Sequence, residues 1–118
     1  MHSPVRVLVV DDEAMILRVV SAILRRAGFE VQTAENATHA WQLLDEASDT
    51  VDLVLTDVVM RDLSGTVLAA RCREKRPDLP ILFMTGRRDL VDLPGPTLVK
   101  PFAAANLLES VRQALGRD

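Results

Sequence analysis

Five short apolar runs alternate with amphipathic segments along this chain, and that alternation leaves few folds open. Residues 5–10, 51–56 and 80–85 are nearly continuous in apolar side chains, and residues 29–33 and 97–99 are shorter runs of strand-forming type. Strands this apolar are buried on both faces, as in parallel sheets. Between them, apolar residues recur at helical spacing. Residues 14–27 carry Ile16, Val19, Val20, Ile23, Leu24 and Ala27 on one face; the next segment carries Ala37, Ala40, Trp41, Leu44 and Ala47. Leu68, Ala69 and Cys72 face inward in residues 64–76, and Leu107, Leu108, Val111, Ala114 and Leu115 in residues 103–115. Gly28 and Gly116 stand where the first and last helices stop, and Pro77 and Pro80 close the third. Asn36 or Thr38 caps the second. The alternation predicts one doubly wound α/β domain, a five-stranded parallel sheet with helices on both faces. In such sheets the ligand site lies beyond the carboxyl ends of the strands, near the point where strand order reverses.

Bulk properties narrow the class further. A length of 118 residues, 48% of them hydrophobic, suits one domain, read here as residues 1–118 with an ordered core from about 4 to 116. The net charge is −3, and the basic residues are scattered over several segments, which argues against direct nucleic-acid binding. Aromatic side chains are few, so a base-stacking surface is not expected. Apolar runs fall short of a membrane span, and residues after Met1 lack the pattern of a secretory signal. With a single cysteine, Cys72, these features predict a cytoplasmic protein without membrane contact.

The polar residues that end the strands carry the chemistry. Asp11 and Asp12 end the first strand, Asp57 the third, Thr85 the fourth and Lys100 the fifth. Parallel strands deliver all of them to one edge. Three carboxylates brought together repel one another, which raises their pKa values unless a cation joins them. An all-oxygen set without histidine or cysteine suits a hard cation, Mg2+ before zinc. A hydroxyl and an ammonium beside such a cation suit a phosphoryl group. Taken singly, Asp11 and Asp12 would also fit a helix cap and a first-turn acid, Asp57 a turn residue, and Lys100 a surface lysine.

The motifs VLVVDDE, LVLTDVVM with a following glycine, PILFMTG and LVKPF, in this order over nearly the full chain, resemble the receiver domain of two-component response regulators. The resemblance implies a flavodoxin-like strand order 2-1-3-4-5. It implies that Asp57 is the phosphoacceptor, taking a phosphoryl group from a phosphohistidine on a histidine kinase or histidine phosphotransfer protein. It implies that Asp12 and Asp57 hold Mg2+ directly, Asp11 through water, and the Val59 backbone carbonyl completes the set. Thr85 would be the switch hydroxyl and Lys100 the partner of a phosphoryl oxygen. The bond from Lys100 to Pro101 would be cis, and Gly65 matches the family glycine after the acceptor loop. Output would pass to a downstream protein target.

Three positions depart from the family pattern. Thr97 stands three residues before Lys100, where receivers usually carry tyrosine or phenylalanine that swings inward with the switch hydroxyl. Fourteen residues separate Thr85 from Lys100, and Pro94, Gly95 and Pro96 oppose helix. The helix usual between strands four and five is therefore expected to be missing or vestigial over residues 87–93. Phe83, Thr85 and Gly86 fit an atypical receiver subset with that reduction. Finally, Arg61 replaces the usual proline of the acceptor loop. Val59 and Arg87 occupy positions where receivers tune dephosphorylation, and an apolar Val59 predicts a long-lived phosphoform.

Two other functions compete with a phosphoacceptor module. A pseudo-receiver would bind a partner without phosphorylation; the missing aromatic and the short connection favour it, and the intact Asp11, Asp12, Asp57, Thr85 and Lys100 set opposes it. A phosphohydrolase of the haloacid-dehalogenase type would need its nucleophile and acid two residues apart after the first strand, where this chain has DDE. It would turn over small phosphomonoesters.

Overall fold

The computed structural model describes residues 4–87, 89 and 93–116, with residues 47 and 48 described by backbone alone. The elements in chain order are β1 (Arg6–Val10), α1 (Ala14–Arg26), β2 (Glu30–Ala34), α2 (Ala37–Ala47), a 3-10 turn (Ser48–Thr50), β3 (Leu53–Asp57), α3 (Gly65–Lys75), β4 (Ile81–Thr85), β5 (Thr97–Val99) and α4 (Ala104–Ala114). The strands form one parallel sheet in the order β2-β1-β3-β4-β5. The alternation of apolar runs and helical segments thus gives the expected architecture. The 3-10 turn is the element that periodicity does not announce.

Strand alternation sends neighbouring residues to opposite faces, and the core divides accordingly. Leu8 and Val10 of β1 join Ala37, Ala40 and Leu44 of α2 and Leu68, Ala69 and Cys72 of α3 on one face. Val7 and Val9 join Val20 and Leu24 of α1 and Leu107 and Val111 of α4 on the other. β3 and β4 are buried along their whole length, which explains why their sequences are apolar rather than alternating. Burial also pushes the Cys72 thiol up to about 11, as expected of a core residue rather than a redox centre.

Helix ends follow local chemistry. After α1, Gly28 takes φ +97°, its N–H donates to the Arg25 carbonyl, and the Phe29 N–H donates to the Leu24 carbonyl. This pair of bonds needs a left-handed residue, and glycine adopts it without a Cβ clash. Ser64 caps α3 by accepting the Thr66 N–H at 3.1 Å. Asn36 caps α2 by accepting the His39 N–H at 2.7 Å. The Thr38 hydroxyl instead donates to Asp62.

The helix expected to be missing or vestigial concerns residues 87–93, of which 88 and 90–92 lie outside the described residues. None of the described residues from 86 to 96 is helical. The connection is held from α3: Arg73 Nη2 donates to the Pro94 carbonyl at 2.5 Å. Gly95 packs so closely that a Cβ there would lie 3.3 Å from both Arg73 and the Phe83 ring.

Gly65 opens α3 directly against the end of β3. A Cβ at this position would collide with the Asp57 carbonyl oxygen. Gly65→Ala is therefore expected to push α3 and β3 apart and to cost about 1–3 kcal/mol, the usual range for overpacking. A lowered urea midpoint at unchanged m value would record it; an unchanged midpoint would show that the loop absorbs the methyl group freely.

Candidate functional site

Register decides which strand ends meet. Val10 pairs with Thr56 and Asp57 with Met84, so the residue after β1 lies level with the last residue of β3. β1 leads back to β2 while β3 leads outward to β4, and the two acidic ends flank that reversal. Asp11, Asp12 and Asp57 each offer a carboxylate oxygen, and these atoms lie within 4.8 Å of one another. Asp11 is fully buried, Asp57 is buried and Asp12 is partly exposed.

Lys100 offsets the charge of the two buried acids. Its N–H donates to the Thr85 carbonyl at 2.7 Å, which fixes the chain just past β5. Its Nζ then reaches Asp11 Oδ2 at 2.7 Å and Asp57 Oδ2 at 3.4 Å. The Lys100–Pro101 bond is cis. Asp11 also closes a local turn before α1, since its Oδ1 accepts the Glu13 N–H at 2.9 Å. The helix-cap alternative for Asp11 and Asp12 does not hold: α1 begins after Glu13, which makes no side-chain cap, and its first turn carries no acid, so Asp11 only folds the turn before the helix while its other oxygen pairs with Lys100. Arg61 Nε stands 3.8 Å from Asp12 Oδ2, with the Arg61 side chain almost wholly in solvent.

Burial raises the Asp57 pKa; Lys100 pulls it back, Asp11 pushes it up again, and a hydrogen bond from the Val59 N–H favours the ionised form. The net direction is upward. Burial works against the Lys100 charge, but Asp11 and then Asp57 outweigh it and raise its pKa. Thr85 is buried at the same sheet edge, and its hydroxyl accepts the Arg87 N–H at 3.0 Å. The Arg87 guanidinium in turn forks onto the Asp89 carboxylate at 3.0 and 2.6 Å. Val59 lies two residues past Asp57 with its N–H 3.4 Å from Asp57 Oδ1 and an exposed side chain. Thr97 is exposed, and its hydroxyl donates to the Gly95 carbonyl at 3.2 Å. Nothing about that threonine reproduces an aromatic moving inward.

The donor set fits a hard divalent cation: carboxylate oxygens at close quarters, one of them partly open to solvent, with more negative charge than one ammonium offsets. One residue escaped the sequence reading. Asp62, five positions past Asp57, accepts from the Ala37 N–H at 3.2 Å, the Thr38 N–H at 2.9 Å and the Thr38 hydroxyl at 2.8 Å. Desolvation is the largest single influence and opposes its ionisation, but hydrogen bonds from Thr38, Leu63 and Ala37 together outweigh it and hold the carboxyl at about 2. A loop aspartate has no local pattern that reveals a cap supplied to a distant helix.

A doubly wound parallel domain with clustered acids and a lysine at its switch point belongs to the class of α/β domains that bind ligands beyond their strand ends. Within that class, residues 7–112 match the family described as the response regulator receiver domain, and the chain belongs to that family. It is 34% identical over 116 residues to the DNA-binding transcriptional regulator NtrC of Bradyrhizobium, covering 92% of this chain and 24% of that protein. It is 43% identical over 82 residues to the two-component response regulator-like PRR73 of rice, covering 68% of this chain and 11% of that protein. The chain thus spans a quarter or less of these relatives. Among solved structures, a putative response regulator from Chloroflexus aurantiacus superposes with a TM-score of 0.88 at 28% identity, covering 98% of this chain and all of that one. The receiver domain of the hybrid histidine kinase CckA gives 0.83 at 31% identity, covering 93% and 98%.

The upward shift of Asp57 has a consequence for stability. Between its ordinary value of 3.8 and its folded-state value, the native state binds more protons than the unfolded state, so stability falls as pH rises through that window. Asp57→Asn is therefore expected to raise the melting temperature at neutral pH. The gain should shrink as pH is lowered toward 3.8. A variant less stable than wild type at pH 7 would contradict it.

Proposed function

We propose that residues 1–118, with an ordered core of about 4–116, act as a phosphoacceptor receiver of a two-component relay, with Asp57 as the acceptor. The observation that supports this best is the Lys100 ammonium bound to Asp11 and Asp57 at the mouth of the acid cluster. Asp11, Asp12, Asp57 and the Val59 carbonyl would hold Mg2+. When bound, the cation supplies charge neutralisation for an incoming phosphoryl group. The Asp57 carboxylate attacks in line. An oxygen–phosphorus bond forms as the phosphorus–nitrogen bond of the donor phosphohistidine breaks, and the electron pair leaves with the imidazole nitrogen, which takes a proton from solvent. Lys100 moves from the carboxylates to a phosphoryl oxygen. The Thr85 hydroxyl donates to another phosphoryl oxygen, which changes its relation to the Arg87 N–H. The acceptor side chain passes from one negative charge to about two, a local change that biases a two-state element.

The donor is a histidine kinase or histidine phosphotransfer protein, and the output is a downstream protein rather than nucleic acid bound directly. Among the described residues no helix is long and apolar enough to cross a membrane, which agrees with a cytoplasmic location. The chain assists its own phosphorylation and dephosphorylation and turns over no separate substrate.

Intact mass after incubation with acetyl phosphate and Mg2+ tests the acceptor. One phosphoryl addition is expected in wild type, none in Asp57→Ala and none when the cation is chelated. If neither acetyl phosphate nor a kinase labels the folded protein, the pseudo-receiver reading replaces this one. The exposed apolar Val59 cannot orient an attacking water, so the purified phosphoform should decay slowly. Val59→Asn should shorten its lifetime, followed by loss of the phosphorylated mass. A wild-type half-life of seconds would refute slow decay.

A further inference from the structure

The chain from the end of β2 into α2 is tied to both sides of the acid cluster, at Ala34 and at the α2 N-terminus. On the β1 side, the backbone N–H of Asp11 donates to the Ala34 carbonyl at 3.1 Å, three residues before α2. On the β3 side, the loop that follows Asp57 reaches back through the Asp62 carboxylate. Both of its oxygens are engaged, by the N–H groups of Ala37 and Thr38 and by the Thr38 hydroxyl. Asn36 already caps this helix from within, so Asp62 is a second, long-range cap separated from its partners by about a fifth of the chain.

The same loop is anchored to the sheet at its ends, by the Val59 N–H on Asp57, by a long, solvent-exposed contact of Arg61 with Asp12, and by packing. The Gly65 N–H donates to the Val58 carbonyl at 2.8 Å, and the Val58 N–H donates to the Met84 carbonyl at 3.0 Å. Met60 and Leu63 lean on the core cluster that also receives Ala37, Ala40 and Trp41 of α2. The segment between the acceptor and Asp62 is thus a short strap with polar attachment to α2 at one point and shared apolar packing beneath. A carboxylate is suited to this role: it accepts several N–H and O–H bonds at once, and its charge favours the positive end of the helix.

We propose that Asp62 is a positioning residue that couples the acceptor loop to α2, so that occupation of the acid cluster displaces α2 together with the loop. The inference rests on the phosphoacceptor reading of Asp57. It gives the domain a route of conformational response that does not pass through β5, where Thr97 is exposed and bonded to its own loop. Trp41, the single tryptophan of the chain, lies on α2 and packs against the same cluster as Met60 and Leu63. It also lies beneath the Lys75 ammonium, 5.7 Å from the ring centre. Its emission therefore reports the position of α2 from inside the molecule.

The test uses the full chain with Mg2+ and beryllofluoride, a phosphoryl mimic. Fluorine NMR measures occupancy of the site, and Trp41 emission measures the response of α2. At matched, saturating occupancy, the emission of wild type should change. Asp62→Ala should lose most of that change while retaining bound fluoride. Asp62→Asn, which keeps one acceptor oxygen, should recover part of it. Thr38→Val, which removes a donor from the opposite side of the clamp, should weaken the response in the same direction. Asp62 is exposed, and far-UV circular dichroism of each variant checks that the fold survives. A full emission change in Asp62→Ala, or bound fluoride in wild type without any emission change, would overturn the coupling. An absence of bound fluoride in wild type would instead strike at the phosphoacceptor reading itself and take the coupling with it.

Discussion

One ammonium group among buried carboxylates sets the terms for this molecule. Asp11 is sealed from solvent and Asp57 nearly so. A buried charge left without a partner costs about 3–5 kcal/mol, a large fraction of the stability of a small domain. Lys100 meets both acids, and it does so from the far end of the chain, 89 residues after Asp11. The first and the last strands must therefore both be in register before the charges are offset. The compensation is incomplete, because Asp57 remains harder to ionise than an ordinary aspartate. Residual strain of that kind disposes a site to take up a cation, and it explains how a cluster that weakens the empty fold is compatible with a useful one.

The sheet turns this electrostatic problem into a geometric one. Core side chains on both faces leave the strands little freedom, and the polar groups extend from their ends into loops. Gly65 lets α3 begin in contact with the Asp57 backbone. The loop between them is short and tied at several points, so Asp57 is presented from a rigid edge rather than from a mobile segment.

The opposite side of the sheet edge is arranged differently. The connection from β4 to β5 is held by Arg73 of α3 at the Pro94 carbonyl and by close packing of Gly95 on Phe83. Thr97 faces solvent. In place of a buried aromatic lever, this chain has polar ties: Arg87 N–H on the Thr85 hydroxyl, Arg87 forked onto Asp89, and Asp62 clamped on α2. Hydrogen bonds of this type rearrange at modest net cost, whereas a large side chain must find or leave a cavity.

The sequence by itself determined the layers and the chemistry at their edge. Runs such as LVLT and ILFM have no polar face, so they had to be central parallel strands, and such strands must end together. That placed Asp11, Asp12, Asp57, Thr85 and Lys100 at one rim before any contact was known. Helix stops at Gly28 and Gly116 were legible for the same reason: the signal is local, a backbone conformation that glycine adopts readily. Tertiary structure alone decided which oxygen of Asp11 closes a turn and which pairs, that Lys100 lies closer to Asp11 than to Asp57, and that Asp62 caps a helix 24 and 25 residues before it. Those outcomes depend on strand register and loop path, which bring together residues distant in sequence. Periodicity encodes which face a residue occupies, but not which distant residue it meets there.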